Sequence, residues 1–168
     1  MNHPLRVLIL CTGNSARSQM AEALLNRKAA GRFIAESAGS QPAARVNPFA
    51  VEALREVGIE WQGRRPRGID GLESENWDFV ITVCDNARQA CPIFPGHPAL
   101  AHWGMEDPAN VAGDDETKRQ AFRDALRLIS RRIDLLLALP IEKLQKLVLQ
   151  ERLRAIGAET GAREEPQI

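Results

Sequence analysis

The sequence predicts an α/β protein: a single three-layer domain whose central, mostly parallel four-stranded sheet is flanked by helices, with an extra helix at its C-terminal end. Short apolar runs alternate with stretches that carry apolar residues at helical spacing. The runs are too continuous for half-exposed strands and suit a sheet buried on both faces. Helix caps and glycine stops fall between them.

The first run, residues 5–10 (LRVLIL), reads as a central parallel strand. Residues 15–28 follow as a helix with Ala16, Met20, Ala23 and Leu24 on one face and Gly31 as the stop. Residues 33–39 (FIAESAG) read as a strand ending in a turn. The next helix has Asn47 as N-cap, Pro48 at its first position and Gly58 past its end. Residues 64–75 are polar and irregular, with room for one helical turn. Residues 78–83 (DFVITV) form another buried strand, and residues 98–104 (PALAHWG) a shorter one. Residues 114–139 form a long amphipathic helix with Phe122, Ala125, Leu126, Ile129, Ile133, Leu136 and Leu137 on one stripe. Pro140 ends it. A further helix over residues 141–157, with Leu144, Leu147, Val148 and Leu153 apolar, is expected to pack back on the domain. The sequence thus divides into a domain over residues 1–139, a helical extension over 140–157 and a disordered tail over 158–168.

At 168 residues the chain has length for one domain with a sizeable core. The formal net charge is zero, which removes any global attraction to nucleic acid or anionic membrane. No apolar run reaches membrane-span length, and the first apolar run is too short for a signal peptide. A cytoplasmic location is expected. Three cysteines in a reducing compartment do not make a disulfide framework; they are reactive thiols, ligands or buried filler.

Cys11 ends the first strand, where ligands of open parallel sheets bind. The residues after it, Thr12, Gly13, Asn14, Ser15 and Ala16, are small enough for the backbone to curl with N–H groups inward. The following helix adds its positive end, so the loop is an anion cradle. Arg17 supplies a planar fork of donors matched to a tetrahedral oxyanion. The same field favours a thiolate, so Cys11 is expected to have a lowered pKa and to act as nucleophile, with Ser18 placed to donate to its sulfur. A buried strand-end cysteine is common; the strand–loop–helix context favours the functional reading. The Gly-Lys-Ser/Thr ending of a nucleotide-binding loop is absent.

Cys84 and Cys91 lie seven residues apart after the strand over 78–83. That spacing is poor for zinc, and no metal or cofactor is expected. Two structural cysteines remain the plain reading. The strand order also suggests that Cys84 emerges on the same side as Cys11, where three thiols would form a relay.

The Cys-x5-Arg of CTGNSARS, at the first strand–helix junction, resembles the low-molecular-weight protein tyrosine phosphatases. In that fold the cysteine attacks phosphorus and an aspartate of a later Asp-Pro loop is the general acid, which implies Asp107. With VCDNARQACP and HWGMEDPA the set resembles the thioredoxin-coupled arsenate reductases of the same fold. The resemblance spans residues 5–139. Tyrosine phosphatases carry Asp-Pro-Tyr in the acid loop; here Ala109 follows Pro108 and the chain has no tyrosine.

The resemblance implies arsenate as substrate, Cys11, Arg17, Cys84, Cys91 and Asp107 as the catalytic set, and Thr12 to Ser18 as the oxyanion loop. It implies a Cys11–Cys84–Cys91 thiol relay regenerated by thioredoxin, with phosphate and sulfate as weak competing anions and weak phosphatase activity on the side. A monomer is expected, and a phosphatase is the alternative. Some relatives hold potassium beside the loop; Asn14, Glu22 and Ser37 match, but Arg67 stands where an aspartate would. His102 reads as structural, and Asn14 as a residue that orders the loop.

Overall fold

The computed structural model describes residues 3–89, 91–141 and 146–159. Four strands form one parallel sheet in the order β2-β1-β3-β4, with β1 at Leu5–Cys11, β2 at Phe33–Gly39, β3 at Phe79–Thr82 and β4 at Ala99–His102. Chain direction from β1 runs outward to β2 on one side and to β3 on the other. The carboxyl ends of β1 and β3 therefore flank a crevice at the switch point, the place where such sheets bind ligands. Cys11 ends β1, and Cys84 follows β3 by two residues.

The helices are α1 (Arg17–Ala29), α2 (Pro48–Glu56), α3 (Asp85–Gln89), α4 (Asp115–Leu137) and α5 (Lys146–Ala158). Single 3-10 turns lie at Leu72–Ser74 and Pro108–Asn110. The caps follow the sequence: Asn47 accepts from the Phe49 N–H to open α2, and Asp114 from the Thr117 N–H to open α4. β1 is buried from Val7 to Cys11, as its apolar run predicts. The α4 stripe from Phe122 to Leu136 faces α1 and α2, with Leu137 half-buried at its end. α1 begins two residues later than its pattern suggests, because the Ser15 carbonyl accepts from Asn47 N–H and belongs to the loop.

α5 packs on β4 and α4, with Leu149, Leu153 and Ile156 buried, as expected of a helix returning to its own domain. Its docking is close. A side chain at Gly157 would strike the His102 carbonyl, and the Trp103 indole donates to the Leu153 carbonyl at 3.0 Å. Leu144, the Leu147 and Val148 side chains, and the tail beyond residue 159 lie outside the described residues.

Candidate active site

The loop after β1 is held from outside. The carbonyls of Cys11, Thr12, Gly13 and Ser15 accept from the backbone N–H groups of Ser40, Gln41, Ala43 and Asn47. With its carbonyls tied outward, the loop has its N–H groups free: among the described residues none from Gly13 to Ala16 donates to a protein acceptor. This is the geometry of an anion nest. Segment 40–47 is the clamp, and nothing in its sequence pattern announces that role. Gly39 sits where a Cβ would collide with the Thr12 carbonyl, so the clamp needs glycine at its root.

Asn14 is fully buried with a left-handed φ of 50°. Its amide donates to Ser18 Oγ at 2.8 Å and Ser37 Oγ at 2.9 Å, and its carbonyl accepts from Gln19 and from the Arg67 N–H. Trp61 in turn donates to Gln19 Oε1 at 2.9 Å. Asn14 thus orders the loop through a chain of satisfied polar groups, which the sequence marked only at Asn14 itself.

Arg17 is buried at the start of α1. Its Nη1 donates to the Met105 carbonyl at 2.9 Å, and its Nη2 lies 3.6 Å from Asp107 Oδ2. Among the described residues its buried Nε has no hydrogen-bond partner, a donor that an oxyanion in the loop would satisfy. Asp107 uses its other oxygen to cap the Pro108–Asn110 turn through Ala109 N–H. The Asp107-Pro108 loop is therefore fastened directly to the arginine that opens α1.

The Cys11 and Cys84 side chains hydrogen-bond to each other. Thr12 Oγ1 lies 3.2 Å from Cys84 Sγ, and the Ala87 N–H donates to that sulfur at 3.4 Å. These contacts decide where the charge of the pair rests. The hydrogen bond from Cys11, with help from Thr12, Ala87 and Arg17, lowers the Cys84 pKa to about 5. The same bond, with burial, raises that of Cys11 against the pull of Arg17 and the Thr12 N–H. The lowered pKa expected for Cys11 is not what these contacts favour: the pair shares its proton, with the Cys84 contact and burial pushing Cys11 up and the Cys11, Thr12 and Ala87 contacts drawing Cys84 down.

Cys91 is elsewhere. It is half-buried, its thiol reaches only the Pro92 carbonyl at 3.6 Å, and burial raises its pKa. Among the described residues no hydrogen bond joins it to either other sulfur. His102 spans the interval: Nδ1 meets Thr82 Oγ1 at 2.7 Å and Nε2 meets Asp85 Oδ1 at 3.1 Å, pinning the start of α3 to β3 and β4. Arg132 is a residue the sequence reading missed. Buried on α4, it donates to the carbonyls of Trp103, Gly104, Gly157 and Glu159, and so ties the root of the acid loop to α5. An arginine on an otherwise apolar stripe was its one visible signal.

The residues that match a potassium site do not suit a cation. Glu22 already accepts from the Ser37 N–H and hydroxyl, and burial pushes its pKa up. The Arg67 guanidinium occupies the Ser37 carbonyl at 3.0 Å and Glu36 at 3.1 Å. A fixed positive group meets the acceptors that an ion would need.

Residues 6–150 match the model of the low molecular weight phosphotyrosine protein phosphatases. The chain belongs to that family. An arsenate reductase of Halalkalibacterium halodurans is 39% identical over 127 residues, which are 76% of this chain and 91% of the relative. A solved arsenate reductase in the phosphate binding state superposes with a TM-score of 0.64 at 28% identity, covering 80% of this chain and 97% of its own. The low molecular weight protein tyrosine phosphatase of T. tengcongensis gives 0.67 at 26% identity, covering 83% and 99%. Arg154 and Gly157 of α5 lie beyond the family match.

Proposed function

We propose that this chain reduces arsenate to arsenite through a relay over Cys11, Cys84 and Cys91, with thioredoxin as final reductant. The observation that carries the reading is a second thiol, Cys84, set against Thr12 Oγ1 at 3.2 Å and beside Cys11 at the oxyanion loop. A hydrolase has no use for a second thiol there. The named relatives that reduce arsenate support the substrate.

Arsenate enters the loop, taking the N–H groups of residues 12–18 and the Arg17 guanidinium. The Ser18 hydroxyl proton, not spent on Asn14, adds a donor. Cys11 sulfur attacks arsenic, and one oxygen departs as water. The proton of the Cys11 thiol leaves with that oxygen, relayed by Asp107. The hydrogen arsenate dianion plus thiol gives the S–As adduct plus water. The Cys84 thiolate then attacks Cys11 sulfur, and the S–As bond breaks with its electron pair on arsenic. Arsenic falls from the pentavalent to the trivalent state and leaves as arsenite. Cys91 attacks Cys84, returns Cys11 and leaves a Cys84–Cys91 disulfide, to which thioredoxin delivers two electrons. This last exchange requires residues 84–91 to move, since Cys91 starts away from the pair.

Phosphate and sulfate share shape and charge with arsenate and compete for the loop weakly. The Cys11, Arg17 and Asp107 core also supports slow phosphomonoester hydrolysis, in line with family membership. The test is NADPH consumption with arsenate, thioredoxin and thioredoxin reductase. Wild type should turn over, and Cys91→Ser should stop with a Cys11–Cys84 disulfide. Brisk aryl phosphate hydrolysis without arsenate turnover would make the phosphatase reading the right one.

A further inference from the structure

Arg132 lies on the buried face of α4 and is 3% exposed. A guanidinium is costly to bury, so what it holds matters. It reaches in two directions. Nη1 donates to the Trp103 carbonyl at 2.8 Å and Nη2 to the Gly104 carbonyl at 3.1 Å, at the root of the Asp107-Pro108 loop. Nη2 also donates to the Gly157 carbonyl at 3.1 Å, and with Nε to the Glu159 carbonyl. Those two carbonyls lie at the C-terminal end of α5, where a helix leaves acceptors without internal partners. One planar group therefore caps α5 and ties that end to the loop. α5 also grips the root directly, through the Trp103 indole on the Leu153 carbonyl and through Gly157, which has no room for a side chain against His102 and Trp103. Three successive carbonyls, of Trp103, Gly104 and Met105, are thus held by arginines, the third by Arg17. The two holds differ. Arg17 must also receive the oxyanion, which competes with Met105 and Asp107 for its N–H groups. The hydrogen bonds of Arg132 go to the loop root and α5, so an anion in the cradle leaves them intact.

We propose that Arg132 is a positioning residue for the protonation step: it braces the Asp107 loop against α5, and so brings the helical extension into catalysis. The inference rests on Asp107 as the proton relay in the reading above. Only Met105 and Glu106 separate Gly104 from Asp107, a span too short to absorb a shift of the root. A misplacement of about 1 Å near the reacting atoms can cost about a hundredfold in rate. A loosened root costs less than that while Arg17 still holds Met105. The α5 half of the brace, Gly157 and Glu159, comes from residues beyond the family match.

Two variants loosen the brace from its two sides. Arg132→Lys keeps the charge but has one nitrogen, which cannot span both the loop and α5. Gly157→Ala sets a methyl group against the His102 carbonyl and lifts the end of α5. Amide hydrogen exchange is measured first. In both variants the N–H groups of Ala109, Asn110 and Val111 should exchange about tenfold faster, while those of Ser40, Gln41, Ala43 and Asn47 on the oxyanion loop change less than about twofold. No change at residues 109–111, or the same change at both places, overturns the brace. Arsenate turnover is then measured for Arg132→Lys, Asp107→Asn and the double variant. Arg132→Lys should lower kcat about tenfold and leave KM within about twofold. In the Asp107→Asn background the same substitution should cost less than about twofold, because the group it positions is gone. Losses that multiply mean that Arg132 supports the fold alone, and overturn the proposal. If arsenate is not turned over and aryl phosphate is hydrolysed, the reductase reading fails, and the same cycle on aryl phosphate still decides the brace. If Asp107→Asn costs nothing on either substrate, the relay role of Asp107 falls and the brace with it.

Discussion

Around Cys11 four carbonyls of the loop are clamped by segment 40–47, and Asn14 has both polar atoms of its side chain engaged; around Cys91 the thiol reaches a single carbonyl among the described residues, beside the exposed Ile93. The two regions serve the same proposed chemistry under opposite demands. Bond making at arsenic needs donors fixed before the anion arrives, so that no reorganisation is left for the reaction. Disulfide transfer needs a thiol that can leave its place. The five-residue α3 between them is fastened at its start by His102 and Asp85, and its far end adjoins the loosely held Cys91.

The largest break in this contrast comes from Arg17→Ala. It removes the fork at the cradle and the tether to Met105 and Asp107 together. Arsenate turnover should fall about a hundredfold to a thousandfold, with loss of phosphate inhibition. Arg17→Lys restores charge without the fork and should recover less than about tenfold of that loss. Steady-state kinetics with phosphate as competitor check both. Equal recovery by lysine would mean that the cradle uses charge alone.

Arg132→Leu tests the other region. It strands the carbonyls of Trp103, Gly104, Gly157 and Glu159 around a buried apolar side chain. Stability should drop by about 3 kcal/mol in urea denaturation. The rate at which the Cys11–Cys84 pair is alkylated should change less than about twofold, because segment 40–47 and not α5 holds the cradle. A large loss of thiolate reactivity would show that the two regions are coupled through the acid loop.

Legibility followed the same divide. β1, β2 and the capped α2 could be read because local signals, a buried apolar run or an Asn-Pro start, agreed with the fold. The crevice was legible through topology: β1 and β3, parallel neighbours in the sheet, bring Cys11 and Cys84 to one edge. What escaped was long-range and polar. Segment 40–47 clamps the loop through its backbone, which leaves no mark on side-chain pattern. Arg132 reaches across from α4 to α5, and the charge of the thiol pair depends on the Cys11–Cys84 contact first, then on Thr12 and Ala87, rather than on Arg17 alone. Loop and helix dipole predicted a thiolate at this edge; the contact between two sulfurs makes its charge the property of a pair.

The smallest change sharpens that last point. Thr12→Val keeps the shape and removes the hydroxyl 3.2 Å from Cys84 Sγ. A donor to a thiolate stabilises the charged form, so its loss moves the titration upward, by about one pH unit. In wild type the pair carries its charge above about pH 5, the value to which Cys84 is lowered. In the variant the charge should disappear from about pH 6 downward. Thiolate absorbance at about 240 nm reads the pair as a unit, which is appropriate because the proton is shared between two sulfurs. Single-turnover formation of the Cys11–Cys84 disulfide should follow the same curve, since the attacking group is the thiolate. If absorbance shifts and disulfide formation does not, Cys84 is charged in the resting protein but is not the nucleophile of the reducing step. If neither shifts, Thr12 does not hold the charge, and Cys11, the Ala87 N–H and Arg17 are the groups that remain.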